Sequence, residues 1–514
     1  MSISTAVSSD RISKVVGYAL KKGNFQTSGS NLPQRIAVLG QCNDALDAAL
    51  DTTPVEVTTA AQAAALYGYG SPIHQIMRIL RPVNGGDGVG GIPTVVYPQK
   101  KAVGATATVN TMTITLSTTA TANATHYAVI NGRYGVDGTD YAVAIEAGDT
   151  KAQIYVKYKN AINAVAGSPV IATNGGGAGT ETSLIFTTKW NGLQSADLNV
   201  RFDDGGVDCG ITYSDSTVAG AGAADISGAI TAFGNTWNTI VINPYGEEVN
   251  DDLEAANGIP DPTTPTGRYA GIIFKPFIAI CGSTEGTAAT IGALTDARKA
   301  EVTVAFAPAP LSEGWPAEAA ANMAYLFAIT AQNTPHVDIT GHSYPDMPVP
   351  ADGYIEDFSD YTNRDYLVKK GCSTVDLVAG KYQVMDFVTT YHPDGEIPPQ
   401  YRWCRNLMLD FNVRYKYYLL EQLYVVGKTI TSDSQSVIVA GVIKPKDWKQ
   451  QVRSLADDLA LNGLSADAEF MKASITVGIS GTNPDILETF FKYKRTGTAR
   501  IASTDAEAGF SFGA

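Results

Sequence analysis

The chain is 514 residues long, with a formal net charge of −14, 44% hydrophobic residues and 17% charged ones. That length predicts two to four domains, with ample material for cores that need neither disulfides nor metals. The acidic balance opposes binding to nucleic acid or an anionic membrane surface, and a charged fraction below the usual ~25% fits a chain that covers much of its exterior with partners, a bias shared with extracellular β-proteins.

Residues Met1–Asp10 carry neither the basic nor the apolar region of a secretory signal, and no apolar run approaches the ~18 residues of a spanning helix. The expectation is a soluble chain made in the cytosol. The five cysteines (Cys42, Cys209, Cys281, Cys372 and Cys404) are far apart and form no CxxC, so they are expected as reduced, mostly buried thiols.

Residues 1–30 are polar and weakly patterned, and are expected as an extended arm. The apolar run Arg35–Gly40 predicts a buried strand. Thr58-Thr59 caps an Ala-rich helix to about Leu66. Ser71-Pro72 starts another, with Ile73, Ile76, Met77 and Leu80 on one stripe. A strand at Thr94–Tyr97 completes the first part of a central α/β domain, residues 31–99.

From 100 to 205 the texture changes to Thr, Ala and Gly. Strands are expected at Thr106–Leu116, Tyr127–Ile130, Tyr141–Ile145 and Leu184–Phe186, with turns at Asn131-Gly132 and Asp137-Gly138 and one helix from Thr150 to about Val165. This is a β-rich insertion. The central domain resumes over 206–388, with strands at Thr239–Ile242, Ile272–Phe274, Ile278–Ile280, Val302–Phe306 and Val337–Ile339 and a helix at Trp315–Ala331.

A C-terminal α/β unit spans 389–491. Its first helix, from about Trp403 to Tyr424, places Leu407, Phe411, Tyr415, Tyr418 and Leu419 on one face. A second follows Lys444-Pro445 with Trp448, Val452, Leu455 and Leu459 at helical spacing, and Asn462-Gly463 stops it. The strand Lys472–Ser480 alternates, with Ile475, Val477 and Ile479 on one side, and presents itself for pairing. Residues 492–514 form a small-residue arm carrying Phe510 and Phe512.

Catalytic patterns fall short. Gly427-Lys428-Thr429 lacks the first glycine of a phosphate loop, since position 422 is Gln. Gln41-Cys42-Asn43-Asp44 lacks a dinucleotide GxGxxG, and Ser283 misses GxSxG because Cys281 stands in the first glycine's place. His336 and His342 bracket Asp338, but on a strand they would lie ~20 Å apart, so a metal site needs a turn between them. Asp203-Asp204 and Asp251-Asp252 do not follow the calcium-loop order. The basic–aromatic groups Tyr401–Arg405 and Arg414–Tyr418 mimic single-strand binders, although the net charge favours a packed helix with basic groups at a protein contact.

In the second C-terminal helix, Lys446, Lys449 and Arg453 sit toward the N-terminus and Asp457 and Asp458 toward the C-terminus. That opposes the helix dipole by ~0.3–1 kcal/mol per terminal charge. Two explanations stand: tolerated surface charge, or complementary charge supplied by another subunit.

Leu32–Gln41, Val57–Ser71 with the following Ile76-Met77-Arg78, Asn333–Val337 and Val388–Tyr391 occur in an order and spacing that resemble the tail sheath proteins of Mu-like contractile phages. The resemblance implies an inner C-terminal domain facing a rigid tail tube, outer domains inserted in the chain, and arms at 1–30 and about 492–514 that add strands to neighbouring sheets. It assigns Ile475, Val477, Ile479, Val15, Tyr18, Phe510 and Phe512 to inter-subunit strand pairing. Lys446, Lys449, Arg453, Asp457 and Asp458 become a contact to the tube or a neighbour. Val15–Leu20 departs from the Pro-Gly-Val-Tyr-like stretch of the family. The partners implied are further copies in stacked helical rings, a tube protein, a baseplate and a tail terminator. No cofactor, nucleic acid or membrane insertion is implied, and the location is the virion after assembly in the host bacterial cytoplasm. The same pattern is open to a phage-derived bacteriocin or injection particle. Outside that class, an α/β hydrolase-like enzyme and a β-rich surface protein are the alternatives.

Overall fold

The computed structural model describes residues 31–82, 88–271, 273–396 and 399–509; Val15, Tyr18, Phe510 and Phe512 lie outside them. At its centre is a six-stranded sheet in the order Val304–Pro308, Ile278–Ser283, Ile240–Asn243, Ile36–Gln41, Thr94–Gln99, Val55–Glu56. All neighbours are parallel except the short last pair. The longer strands are buried throughout, which explains why they are continuous apolar runs rather than alternating ones.

One face is covered by the helices Pro72–Leu80 and Pro316–Asn333, the other by Ser227–Phe233 and Asn250–Asn257. Ser71 caps the first of these, its hydroxyl accepting from the His74 amide at 3.2 Å. The helix Pro316–Asn333 presents alanines to the sheet and lies very close to it: a Cβ on Gly282 would meet the Pro316 carbonyl at 1.6 Å.

Of the strand expected over Ile272–Phe274, residue 272 lies outside the described residues, and residues 273 and 274 lie in a turn closed by the Ile273 and Phe274 amides on the Ala270 carbonyl (3.0 and 2.8 Å). The strand expected at Val337–Ile339 is not formed: these residues follow a turn in which the Val337 amide donates to Thr334. Among the described residues neither segment has a ladder partner, and local hydrogen bonds form instead.

The insertion comprises a four-stranded antiparallel sheet and a three-stranded one. They share a core with the helix Lys151–Ala164, which Thr150 and Gln153 start with a reciprocal capping box. Asn131-Gly132 and Asp137-Gly138 have positive φ at both positions, as tight hairpin turns demand. The insertion reaches further than residue 205. Thr212–Val218 pairs with Val109–Thr115, and Thr106 bridges Ala221. This extra strand is an exposed edge with no buried apolar position, so hydrophobic alternation gives no sign of it.

Trp315 from the central part joins the insertion core beside Trp190, ring centroids 5.0 Å apart. Ion pairs flank this seam: Arg133 with Glu318 (3.1 Å) and Asp346 (2.8 Å), Arg201 with Glu313 (3.0 Å), and Arg78 with Asp137 (2.8 Å).

The hairpin Thr374–Val378/Lys381–Asp386 packs into the central core. The helix Cys404–Tyr424 then serves two cores at once. Leu407, Met408 and Phe411 face the central one, and Leu409 and Val413 the C-terminal one. The expected single stripe is therefore corrected: Tyr415 leans on the central core and Tyr418 is 43% exposed.

Candidate assembly surface

The C-terminal core gathers Leu409, Val413, Trp448, Val452, Leu455, Leu459, Leu464, Met471 and Ile475. It is built from the helices Cys404–Tyr424, Pro445–Leu461 and Ala468–Ser474 and the antiparallel hairpin Thr476–Ile479/Leu487–Phe490. Pro445 opens the second helix and the apolar stripe turns inward as its spacing predicts. The Trp448 indole Nε1 donates to the Thr489 hydroxyl at 2.8 Å, tying the helix to the hairpin.

The strand expected from Lys472 begins only at Thr476, because Lys472–Ser474 close a short helix that Asp467 caps. Ile475 is 2% exposed and belongs to the core, as does the inner side of Val477; Ile479 is half-buried. Ile475 and Val477 therefore pack within their own subunit. What the hairpin leaves open among the described residues is backbone: as a two-stranded sheet it keeps an unpaired edge on each strand. Phe490 lies exposed on its outer side.

The charges of the Pro445–Leu461 helix divide into two groups. Asp458 accepts from Lys416 (3.0 Å), and Asp457 pairs with Lys472, whose own pKa is raised by Asp457 and Glu469. The acidic end is thus answered within the chain, which removes the need for an outside partner there. At the basic end the Lys446 amide donates to Asp433 at 2.9 Å. Among the described residues Lys449 and Arg453 form no ion pair, and both are half-buried. This leaves two cations one turn apart beside an open hairpin.

The place where an α/β sheet would hold a substrate is the crevice at the carboxyl ends of the strands where the chain reverses direction, here between Ile36–Gln41 and Ile240–Asn243. The insertion closes it. Gln194 of the insertion bonds Gln41, and the space left between Gln75, Trp190, Asp197, Pro244 and Trp315 is about 20 Å³, room for one water. Burial pushes the Asp197 carboxyl up to about 6, and it is the only acid lining that space. Among the described residues no group of three His, Cys, Asp or Glu is placed to hold a metal. His336 lies in a turn with its ring against Gly463. No helix among them is long and apolar enough to cross a membrane. All five cysteines are buried and unpaired.

No family model matches the chain. It is 24% identical over 444 residues to the Mu-like prophage FluMu tail sheath protein of Haemophilus influenzae, a match covering 84% of each chain. The chain is similar to a tail sheath protein. Among solved structures, the sheath tail protein of Desulfitobacterium hafniense covers 93% of this chain and all of its own at 12% identity and a TM-score of 0.42. The anti-feeding prophage helical sheath in its contracted state covers 97% and 99%, at 9% identity and a TM-score of 0.38.

Proposed function

We propose that this chain is the structural subunit of a contractile tail sheath. It polymerises helically around a tail tube and contracts to drive the tube through a host envelope. The observation that carries this is the sequence match to a tail sheath protein, which runs through 84% of both chains rather than one module. Contraction then draws its free energy from subunit interfaces with two arrangements, without a nucleotide or cofactor.

In this proposal residues 1–30 and about 492–514 are arms, and the free edges of the Thr476–Ile479/Leu487–Phe490 hairpin receive a neighbour's arm by strand addition. Lys449 and Arg453, with Lys446, face the tube or an adjacent copy. A baseplate and a terminator close the two ends. The assembled particle is a virion tail built in the bacterial cytoplasm.

Negative-stain electron microscopy of the purified chain tests this directly. Hollow tubes of regular helical pitch, alone or around added tail tubes, are the expected result. Monomers at every concentration, together with failure to coat a tail tube, overturn the proposal.

A further inference from the structure

The basic–aromatic cluster around Trp403 is left without a role by the assembly surface, and so is the last described stretch of chain. The two meet. Beyond Phe490 the backbone runs without helix or strand, yet as far as Arg500 it is held by side chains from three places. The Asp410 carboxylate accepts from Tyr493 Oη (2.7 Å) and Arg495 Nε (2.8 Å), and the Arg495 guanidinium lies over Tyr401. Thr496 donates its hydroxyl to the Gly463 carbonyl at 2.6 Å. Its own carbonyl and hydroxyl accept from Arg405, whose Nε donates to the His336 carbonyl at 2.8 Å. Arg500 stacks on Trp403, 3.3 Å from the ring centroid, and pairs with Asp338 and Asp386.

These contacts cross a boundary. Asp410 and Gly463 belong to the C-terminal unit, while His336, Asp338 and Asp386 belong to the central one. The two cores also share the helix Cys404–Tyr424, and the His336 ring lies against Gly463. Tyr493 packs on the C-terminal core, and from Arg495 to Arg500 the segment is one wall of a cleft of about 370 Å³ whose other side is Pro399, Gln400, Trp403 and Asn406. Beyond the Ala466 amide's bond to the Lys494 carbonyl (2.8 Å), its hold is made by side chains.

We infer that residues 493–500 form a releasable clasp that fixes the C-terminal unit against the central unit, with Arg500 on Trp403, Asp338 and Asp386 as its closing contact. A core cannot open without losing its burial, whereas these few ion pairs, partly buried and so weakly screened by salt, open when a competitor takes Trp403, Asp338 and Asp386 from Arg500. Released, the chain from Tyr493 onward leaves its own subunit, and the two units turn about the shared helix. The inference stands on intrachain contacts and does not depend on the proposed function.

The test is limited trypsin digestion of the full chain, following cleavage after Lys494 and Arg495, which requires the flanking segment to leave its seat. Arg500→Ala is expected to speed that cleavage at least ten-fold, with Arg500→Lys in between. A chain lacking 501–514 is expected to match the parent. Equal rates for Arg500→Ala and the parent overturn the inference, as does a 501–514 deletion cut as fast as Arg500→Ala.

Discussion

Removing Arg133 exposes how the insertion is held. Glu318 is 2% exposed at the start of the helix Pro316–Asn333, and Arg133 from the insertion is the cation beside it. Burial raises the Glu318 pKa, and Arg133 is the main influence pulling it back. Arg133→Ala leaves a buried carboxylate without its partner, a change that costs about 3–5 kcal/mol. For a unit of this size that corresponds to roughly 6–10 °C in Tm, at about 2 °C per kcal/mol.

The sign of the pH dependence follows. A carboxyl whose folded pKa lies above its unfolded value contributes stability below the unfolded pKa, and loses it as pH rises through the folded one. Without Arg133 the folded pKa of Glu318 moves up further, so the gap between variant and parent is small near pH 4.5 and widens toward pH 8. Calorimetry of both proteins across that range checks it. Arg133→Ala combined with Glu318→Gln, which removes the stranded charge, is expected to recover much of the loss at pH 8. A variant whose deficit is flat with pH, or a double variant no better than the single, refutes the stranded-carboxylate argument.

Two further outcomes are expected. Burial pushes the Glu254 carboxyl from 4.5 to about 7, although the Val302 and Thr303 amides donate to it. Its protonation therefore stabilises the fold fully below about 4.5, and that contribution is lost as pH rises through about 7. Glu254→Gln should flatten this part of the stability–pH curve, read from thermal melts, although its amide nitrogen cannot accept and so gives up one of the two backbone bonds. Lys449→Glu with Arg453→Glu should leave the melting temperature within about 2 °C, since neither cation has an intrachain ion-pair partner among the described residues. Tube coating should fall at least ten-fold, and a large loss of Tm with normal coating would place both cations in the subunit's own stability.

The central sheet was legible in the sequence because its strands are buried on both faces, which leaves runs such as Ile36–Leu39 and Ile278–Ile280. Caps were equally plain at Thr59 and Ser71, where one hydroxyl decides a helix start. The edge strand Thr212–Val218 escaped because it turns only Tyr213 to the core and leaves its other side chains exposed, so no alternation shows. Ile273 and Val337 misled for the opposite reason, being apolar without a ladder to join. The candidate surface was half visible. Local spacing showed the stripe Trp448–Leu459, but the partners of Asp457 and Asp458 sit on other helices. Arg500 meets residues 338, 386 and 403, distances along the chain that no periodicity spans.

The insertion leaves the sheet after Thr94–Gln99, and the chain returns alongside its point of departure, where Thr106 and Ala221 bridge. To the sheet, everything between those residues is one loop closed at its neck. A hairpin of any length fits the same neck, so outer domains of unrelated size can be exchanged there with the strand order intact. The demands of such a graft fall on the few residues of the remaining body that meet the insertion: Trp315, which would need a polar replacement, Glu318, which would need a neutral one, and Arg78, Glu313 and Asp346, which would lose their ion-pair partners.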